Sequence, residues 1–117
     1  KDEMTDRSER FFASQIIREK IFLNYKQEIP YSTEVSIESF KEEEKIIRIR
    51  AVLFVERDSQ KGILIGKAGS SLKKVGTEAR KDLEAFFGKQ IFLETRVKVA
   101  DNWRKEKDKL KRFGYIE

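Results

Sequence analysis

The stretch "ILIGKAGSSLKKVGTEARKDLEAFFGK", Ile63–Lys89, decides how this chain of 117 residues is read. A short apolar run ends at Gly66. Gly66 and Gly69 then bracket Lys67 and Ala68, and Ser70 and Ser71 follow. Beyond them Leu72, Val75, Ala79, Leu83 and Phe86 recur at helical spacing until Gly88 stops the pattern. A Gly-x-x-Gly turn exposes backbone N–H groups and, having no Cβ at either end, lets another backbone come close. A helix that starts directly after it adds partial positive charge. Lys67, Lys73 and Lys74 add full charges. The device suits a phosphate.

Nucleotide phosphates are excluded by spacing. A P-loop needs Gly, four residues, Gly-Lys and then Ser or Thr. Here Gly62 is followed by only three residues before Gly66-Lys67-Ala68, and Ala68 offers no hydroxyl for magnesium. The segment in front also reads as a helix rather than a strand. A dinucleotide Gly-x-Gly-x-x-Gly pattern fails as well, because Leu64 stands two places before Gly66. What is left is a clamp on a nucleic-acid backbone, the use to which KH modules put a Gly-x-x-Gly loop.

Outward from the turn, "DSQKGILIG" (58–66) reads as a short helix capped by Asp58 or Ser59, with Ile63, Leu64 and Ile65 packed inward. Before it, "YSTEVSIESF" (31–40) alternates: Tyr31, Thr33, Val35 and Ile37 against Ser32, Glu34, Ser36 and Glu38. "KEEEK" (41–45) is a solvated turn. "IIRIRAVLFVER" (46–57) is a second strand with Ile47, Ile49, Ala51, Leu53 and Val55 on its core face. Val52 and Phe54 share the other face with Arg48 and Arg50, so something must cover that end. The two strands form a hairpin. "QIFLETRVKV" (90–99) is a third strand, with Ile91, Leu93, Thr95, Val97 and Val99 alternating against Phe92, Glu94, Arg96 and Lys98.

Helices flank this unit. "TDRSERFFASQIIREKIFLNY" (5–25) carries Phe12, Ala13, Ile16, Ile17, Ile21 and Leu23 on an apolar face, and Asp6 with Glu9 resembles a capping box. "DNWRKEKDKLKRFGY" (101–115) reads as a C-terminal helix capped by Asp101, anchored by Trp103 and ended by Gly114. The order predicts an α+β domain: a three-stranded mixed sheet with helices on one face, in which the helical pair between strands two and three carries the chain across.

Composition narrows the function. Lys and Arg number 26 against 21 Asp and Glu, a net charge of +5 that fits an anionic partner. Cys and His are both absent, which removes the usual zinc sites and the Ser-His-Asp and Cys-His constellations. No metal site, cofactor or catalytic residue is expected. Glu42, Glu43 and Glu44 read as a turn. No apolar run approaches the roughly 20 residues of a membrane span, although a basic balance is compatible with peripheral membrane contact. The chain opens on Lys1, not Met, and reads as a piece of a longer protein.

Several motifs together resemble one family. "TDRSERF…ASQIIREKI" (5–21), "IPYS" (29–32), "VERDSQKGILIGKAGSSLKKVGTEARKDLE" (55–84), "VKV" (97–99) and "LKRFGY" (110–115) are similar to the C-terminal type II KH domain of the Era-like bacterial GTPases. The resemblance covers nearly the whole chain. It implies a type II KH fold: an N-terminal helix and lead-in over 1–28, a KH core over 29–100 and a C-terminal helix over 101–117. It also implies a cytoplasmic parent protein with a GTPase domain ahead of this module, nucleotide chemistry being absent from the module itself. The partners implied are single-stranded ribosomal RNA, at the 3′ end of the small-subunit molecule, and the small ribosomal subunit during assembly.

Carried over by position, Gly66, Lys67, Ala68 and Gly69 would clamp the RNA backbone. Ser70, Lys73 and Lys74 would meet phosphates. Ile63, Ile65, Leu72 and the apolar residues of the second strand would border a groove for bases. The family often has a basic residue where Ala68 stands and Trp where Arg96 stands, so this clamp carries one lysine. A second function class is a docking module for the parent GTPase domain or a ribosomal protein, using the mixed-charge run around Lys109 and Lys111. Among other charges, Arg48 and Arg50 are expected to pair across strands with Glu34 or Glu38, and Arg80 and Lys81 to serve surface ion pairs. Phe11, Phe12, Phe86, Phe87 and Phe92 are expected to be packing residues.

Overall fold

A computed structural model describes residues 3–100, with side chains from Arg7 onward. Helix α1 spans Glu3–Asn24, strands β1 and β2 span Glu34–Glu42 and Ile46–Val55, and helix α2 spans Asp58–Ile65. A short 3₁₀ turn over Lys67–Gly69 leads into α3, Ser70–Phe87, and strand β3 closes the order at Gln90–Val99. The sheet order is β1-β2-β3, with β1 and β2 antiparallel and β2 and β3 parallel. A parallel pair needs a crossover, and α2 with α3 supplies it. The mixed three-stranded sheet with helices packed on one face is therefore as the alternation predicts. The expected C-terminal helix, with Trp103, Lys109 and Lys111, lies outside the described residues.

The core forms where the alternating strand faces meet the helices. Ile47, Ile49, Ala51, Leu53 and Val55 of β2 are all buried, as are Val35 and Ile37 of β1 and Ile91 and Val97 of β3. Against them pack Ala13, Ile17 and Ile21 of α1, Leu64 of α2, and Val75, Ala79 and Leu83 of α3. The outer end of β2 is closed too: Val52 is buried, along with Glu34 and Ser36 of β1.

Local chemistry corrects several boundaries. The helix α1 begins by Glu3, so Asp6 lies within it and does not cap it. Its buried stripe is Ala13, Ile17 and Ile21. Phe12 is exposed, and Leu23, about 200° round the helix from Ile21, is 70 % exposed. Pro30–Ser32 is a 3₁₀ turn rather than the start of a strand, because Pro30 fixes its φ at the first helical position. The strand pairing continues instead through Lys41 and Glu42, which the charge run alone assigns to the turn. At α2 neither Asp58 nor Ser59 caps. Arg57 is the N-cap residue, and the buried Gln60 side-chain oxygen accepts from the Arg57 N–H at 3.0 Å and the Glu56 N–H at 3.1 Å.

The outer sheet face is a lattice of charges. Glu38, at a bulge in β1, accepts from Arg96 at 3.0 Å and lies 3.7 Å from Arg50. Arg50 also faces Glu94 at 3.7 Å, and Arg48 pairs with Glu43 at 3.3 Å beside the Phe92 ring. The cross-strand use of Arg50 matches expectation. Glu34 instead lies 3.6 Å from Arg18 of α1. Arg80 pairs with Glu84 one turn on. Phe87 and Phe40 pack against the core, and Phe86, Phe12 and Phe11 continue from Phe87 as a partly exposed chain of ring contacts, Phe86 on Phe87 at 4.9 Å, Phe12 on Phe86 at 5.2 Å and Phe11 on Phe12 at 5.8 Å, while the exposed Phe92 lies under Arg48.

Candidate nucleic-acid interface

Four residues, Gly66 to Gly69, separate α2 from α3, and the backbone conformation explains both glycines. Gly66 has φ 75°, and a Cβ there would lie 2.7 Å from the Ser71 Cβ and closer still to its Oγ. Any other residue would clash as well as strain. Gly69 has φ 76° with open space around it, so only its backbone conformation calls for glycine. Ala68, between them, is also left-handed at φ 55°. The Gly66 N–H closes α2 on the Gly62 carbonyl at 2.9 Å, and the Gly69 N–H reaches the Gly66 carbonyl at 3.1 Å. The N–H groups of Lys67 and Ala68 have no backbone acceptor among the described residues.

The start of α3 is electrostatically unusual. No side chain caps it, and its first turn contains no acidic residue. Lys73 and Lys74 stand exposed close to its positive end. Such a placement disfavours the isolated helix by a few tenths of a kcal/mol per charge. It becomes favourable when an anion sits at the turn. Among the described residues Lys67, Lys73 and Lys74 have no ion-pair partner, in contrast to the engaged arginines of the sheet.

The apolar border is asymmetric. Ile65 and Leu72 are half-buried and packed against the core on either side of the turn. Ile63, expected to pack inward from α2, is 52 % exposed, one position before the fully buried Leu64. It therefore presents an aliphatic surface to solvent beside the clamp. Exposed Ser70 follows the turn directly. The core-facing residues of β2 cannot border a groove, because they lie on the central strand and are buried under the helices. Among the described residues, the edge strand that α2 contacts is β3. That assignment depends on strand order, which no local pattern carries.

The turn is held from α1. The Tyr25 hydroxyl donates to the Leu64 carbonyl at 2.6 Å, two residues before Gly66, and Asn24 donates to Glu78 of α3 at 2.8 Å. Burial pushes the Tyr25 phenol above its ordinary value. No sequence motif singles out either residue. Tyr25 stands at the end of the helical pattern, and the only signal is an aromatic carrying a polar tip, which when buried finds an acceptor.

Comparison with known proteins follows the same outline. The family model described as "KH domain" matches residues 28–104. GTPase Era of Syntrophus aciditrophicus is 54 % identical over 118 residues, covering 99 % of this chain and 39 % of that protein. GTPase Era of Coxiella burnetii is 53 % identical over 116 residues, with the same coverage. The chain thus spans about two fifths of the length of these relatives. A crystal structure of Aquifex aeolicus Era bound to GDP.AlF4- superposes with a TM-score of 0.81 at 35 % identity, covering 92 % of this chain and 37 % of that one. A structure of Era in complex with MgGDPNP and nucleotides 1506–1542 of 16S ribosomal RNA matches equally, with a TM-score of 0.81.

Proposed function

The chain belongs to the KH domain family, and from that premise we propose that it binds single-stranded RNA through the turn Gly66–Gly69. The observation that carries this reading is the turn itself: two glycines with positive φ, exposed Lys67 between them, and the uncapped start of α3 behind them. In this reading phosphates approach the backbone at Gly66 and Gly69. The N–H groups of Lys67 and Ala68 donate to them, and Lys67, Ser70, Lys73 and Lys74 add charge and hydrogen bonds. Bases lie against Ile63, Ile65 and Leu72. The RNA is the 3′ end of small-subunit ribosomal RNA, supported by the similar Era structure that holds nucleotides 1506–1542 of 16S ribosomal RNA.

The chain acts, in the same reading, as the KH module of an Era-like GTPase that assists small-subunit assembly in the cytoplasm. Residues 29–100 form the core of the module, between the lead-in 1–28 and the tail 101–117. GTP hydrolysis belongs to a separate domain of such a protein. No helix among the described residues is long and apolar enough to cross a membrane.

Fluorescence anisotropy tests the clamp. A labelled strand matching the 3′ end of small-subunit ribosomal RNA is titrated beside a scrambled strand of equal length. Lys67→Asp combined with Ala68→Asp should abolish binding and leave the circular dichroism native. A clamp on about four phosphates should give a log–log salt slope near −3, at about −0.7 per phosphate. Unchanged affinity in the folded double variant rules the clamp out. Equal, weak binding of both strands by the unaltered chain turns the assignment towards a docking module.

A further inference from the structure

We propose that Tyr25, together with Asn24, is a positioning residue for the Gly66–Gly69 turn: the C-terminal residue of α1 and the one that follows it set the angle between α2 and α3, and with it the shape of the clamp. The proposal rests on the RNA-binding reading above. The last four carbonyls of any helix lack an intrahelical donor. In α2 the Gly62 carbonyl takes the Gly66 N–H. The Leu64 carbonyl belongs to a residue with no solvent exposure, and water is a poor substitute there. Tyr25, itself only 9 % exposed, donates its hydroxyl to that carbonyl from a position 39 residues away in sequence.

The neighbouring residue does the corresponding job on the other side. Asn24 donates from Nδ2 to Glu78 Oε1 of α3 at 2.8 Å, and also to the Lys20 carbonyl of its own helix at 2.8 Å. One end of one helix therefore grips both elements that bracket the clamp. The connection between those elements is only four residues long, so the relative placement of α2 and α3 is the geometry of the turn. The close approach of Gly66 to Ser71 shows how little slack that geometry has. Asn24 and Tyr25 both lie before residue 28, where the match to the KH domain model begins. The support for the clamp thus comes from outside the part of the chain that the family model matches.

Tyr25→Phe in the full 117-residue chain is the test, because it removes one hydroxyl and keeps the ring. Thr33→Val is the control: the Thr33 hydroxyl makes an equivalent buried bond, to the Ile29 carbonyl at 2.7 Å, and that bond joins neither α2 nor α3. Both variants are measured for urea stability, RNA affinity and residual dipolar couplings of the α2 and α3 amides. Both should lose stability to a similar degree. Tyr25→Phe alone should change the α2–α3 angle and weaken RNA binding by about 3- to 10-fold, the span of one ordinary hydrogen bond.

The Lys67→Asp, Ala68→Asp double variant runs alongside as the reference. If it loses RNA and Tyr25→Phe binds as the unaltered chain does, the positioning role is overturned. Equal weakening by Thr33→Val overturns it too, since the effect is then one of general stability. If the double variant keeps RNA affinity, the RNA reading itself fails, and the couplings alone decide: an unchanged α2–α3 angle in Tyr25→Phe overturns the proposal, and a changed one upholds it.

Discussion

At the scale of single residues, the three small residues of the turn stand in three different situations. Gly66 is required by space and by φ, and Gly69 by φ alone. Ala68 meets neither requirement, since its left-handed φ of 55° costs an L-residue roughly 1 kcal/mol. This strain is local, and nothing else holds the Ala68 side chain, which is exposed. Ala68→Gly should therefore leave stability unchanged or raise it by up to about 1 kcal/mol, the relief of strain being partly offset by the added freedom of the unfolded chain. Urea denaturation checks this, and a loss of more than about 1 kcal/mol would mean that the methyl group packs. Gly66→Ala should behave oppositely, because Ser71 stands in the way. The glycines and Lys67 are legible in the sequence because a turn between two helices is local chemistry. Ile63 is not, because an apolar run of three looks uniformly inward, whereas a helix turns it by about 100° per residue and can bury only part of it.

At the scale of elements, strands are easier to read than helix ends. Alternation of period two identifies β2 and β3 almost residue by residue, and their core faces are the ones expected. Caps are harder, because a cap is decided by which side chain reaches which N–H. At α2 the sequence offers Asp58 and Ser59, yet the bond comes from Gln60 reaching back. Two N–H groups depend on that one buried oxygen, and the helix they begin ends at the clamp. Gln60→Ala should cost about 1–3 kcal/mol, the penalty for partly buried donors left without an acceptor. Gln60→Glu, which keeps the acceptor, should retain most of the stability at neutral pH. Equal losses in the two variants would show that packing of the Gln60 side chain, and not its carbonyl, is what matters.

At the scale of the whole molecule, the sheet and the clamp are joined through α1. The amphipathic face of α1 is visible in the sequence. Its polar attachments are not, because each partner lies far along the chain: Asp82 and Glu78 on α3, and Leu64 on α2. Strand order is likewise invisible, since pairing of β2 with β3 is made across the whole helical crossover. Two of the α1 attachments carry protons that report on folding. The hydrogen bonds that the Lys20 ammonium donates, to Asp82 first and Glu19 second, hold it above its ordinary 10.5, outweighing the lowering by burial. Burial holds the Tyr25 phenol above its ordinary 10.0. In both cases the folded-state value exceeds the unfolded one, so the unfolded state gives up its proton first as pH rises. Each contribution is complete below its ordinary value and is lost as pH climbs through the folded-state value. Thermal melts should therefore show stability falling above about pH 10. A Lys20→Met, Tyr25→Phe double variant should be less stable at pH 8 and yet fall less steeply between about pH 9 and 11. An equally steep fall in that variant would place the alkaline sensitivity elsewhere in the fold.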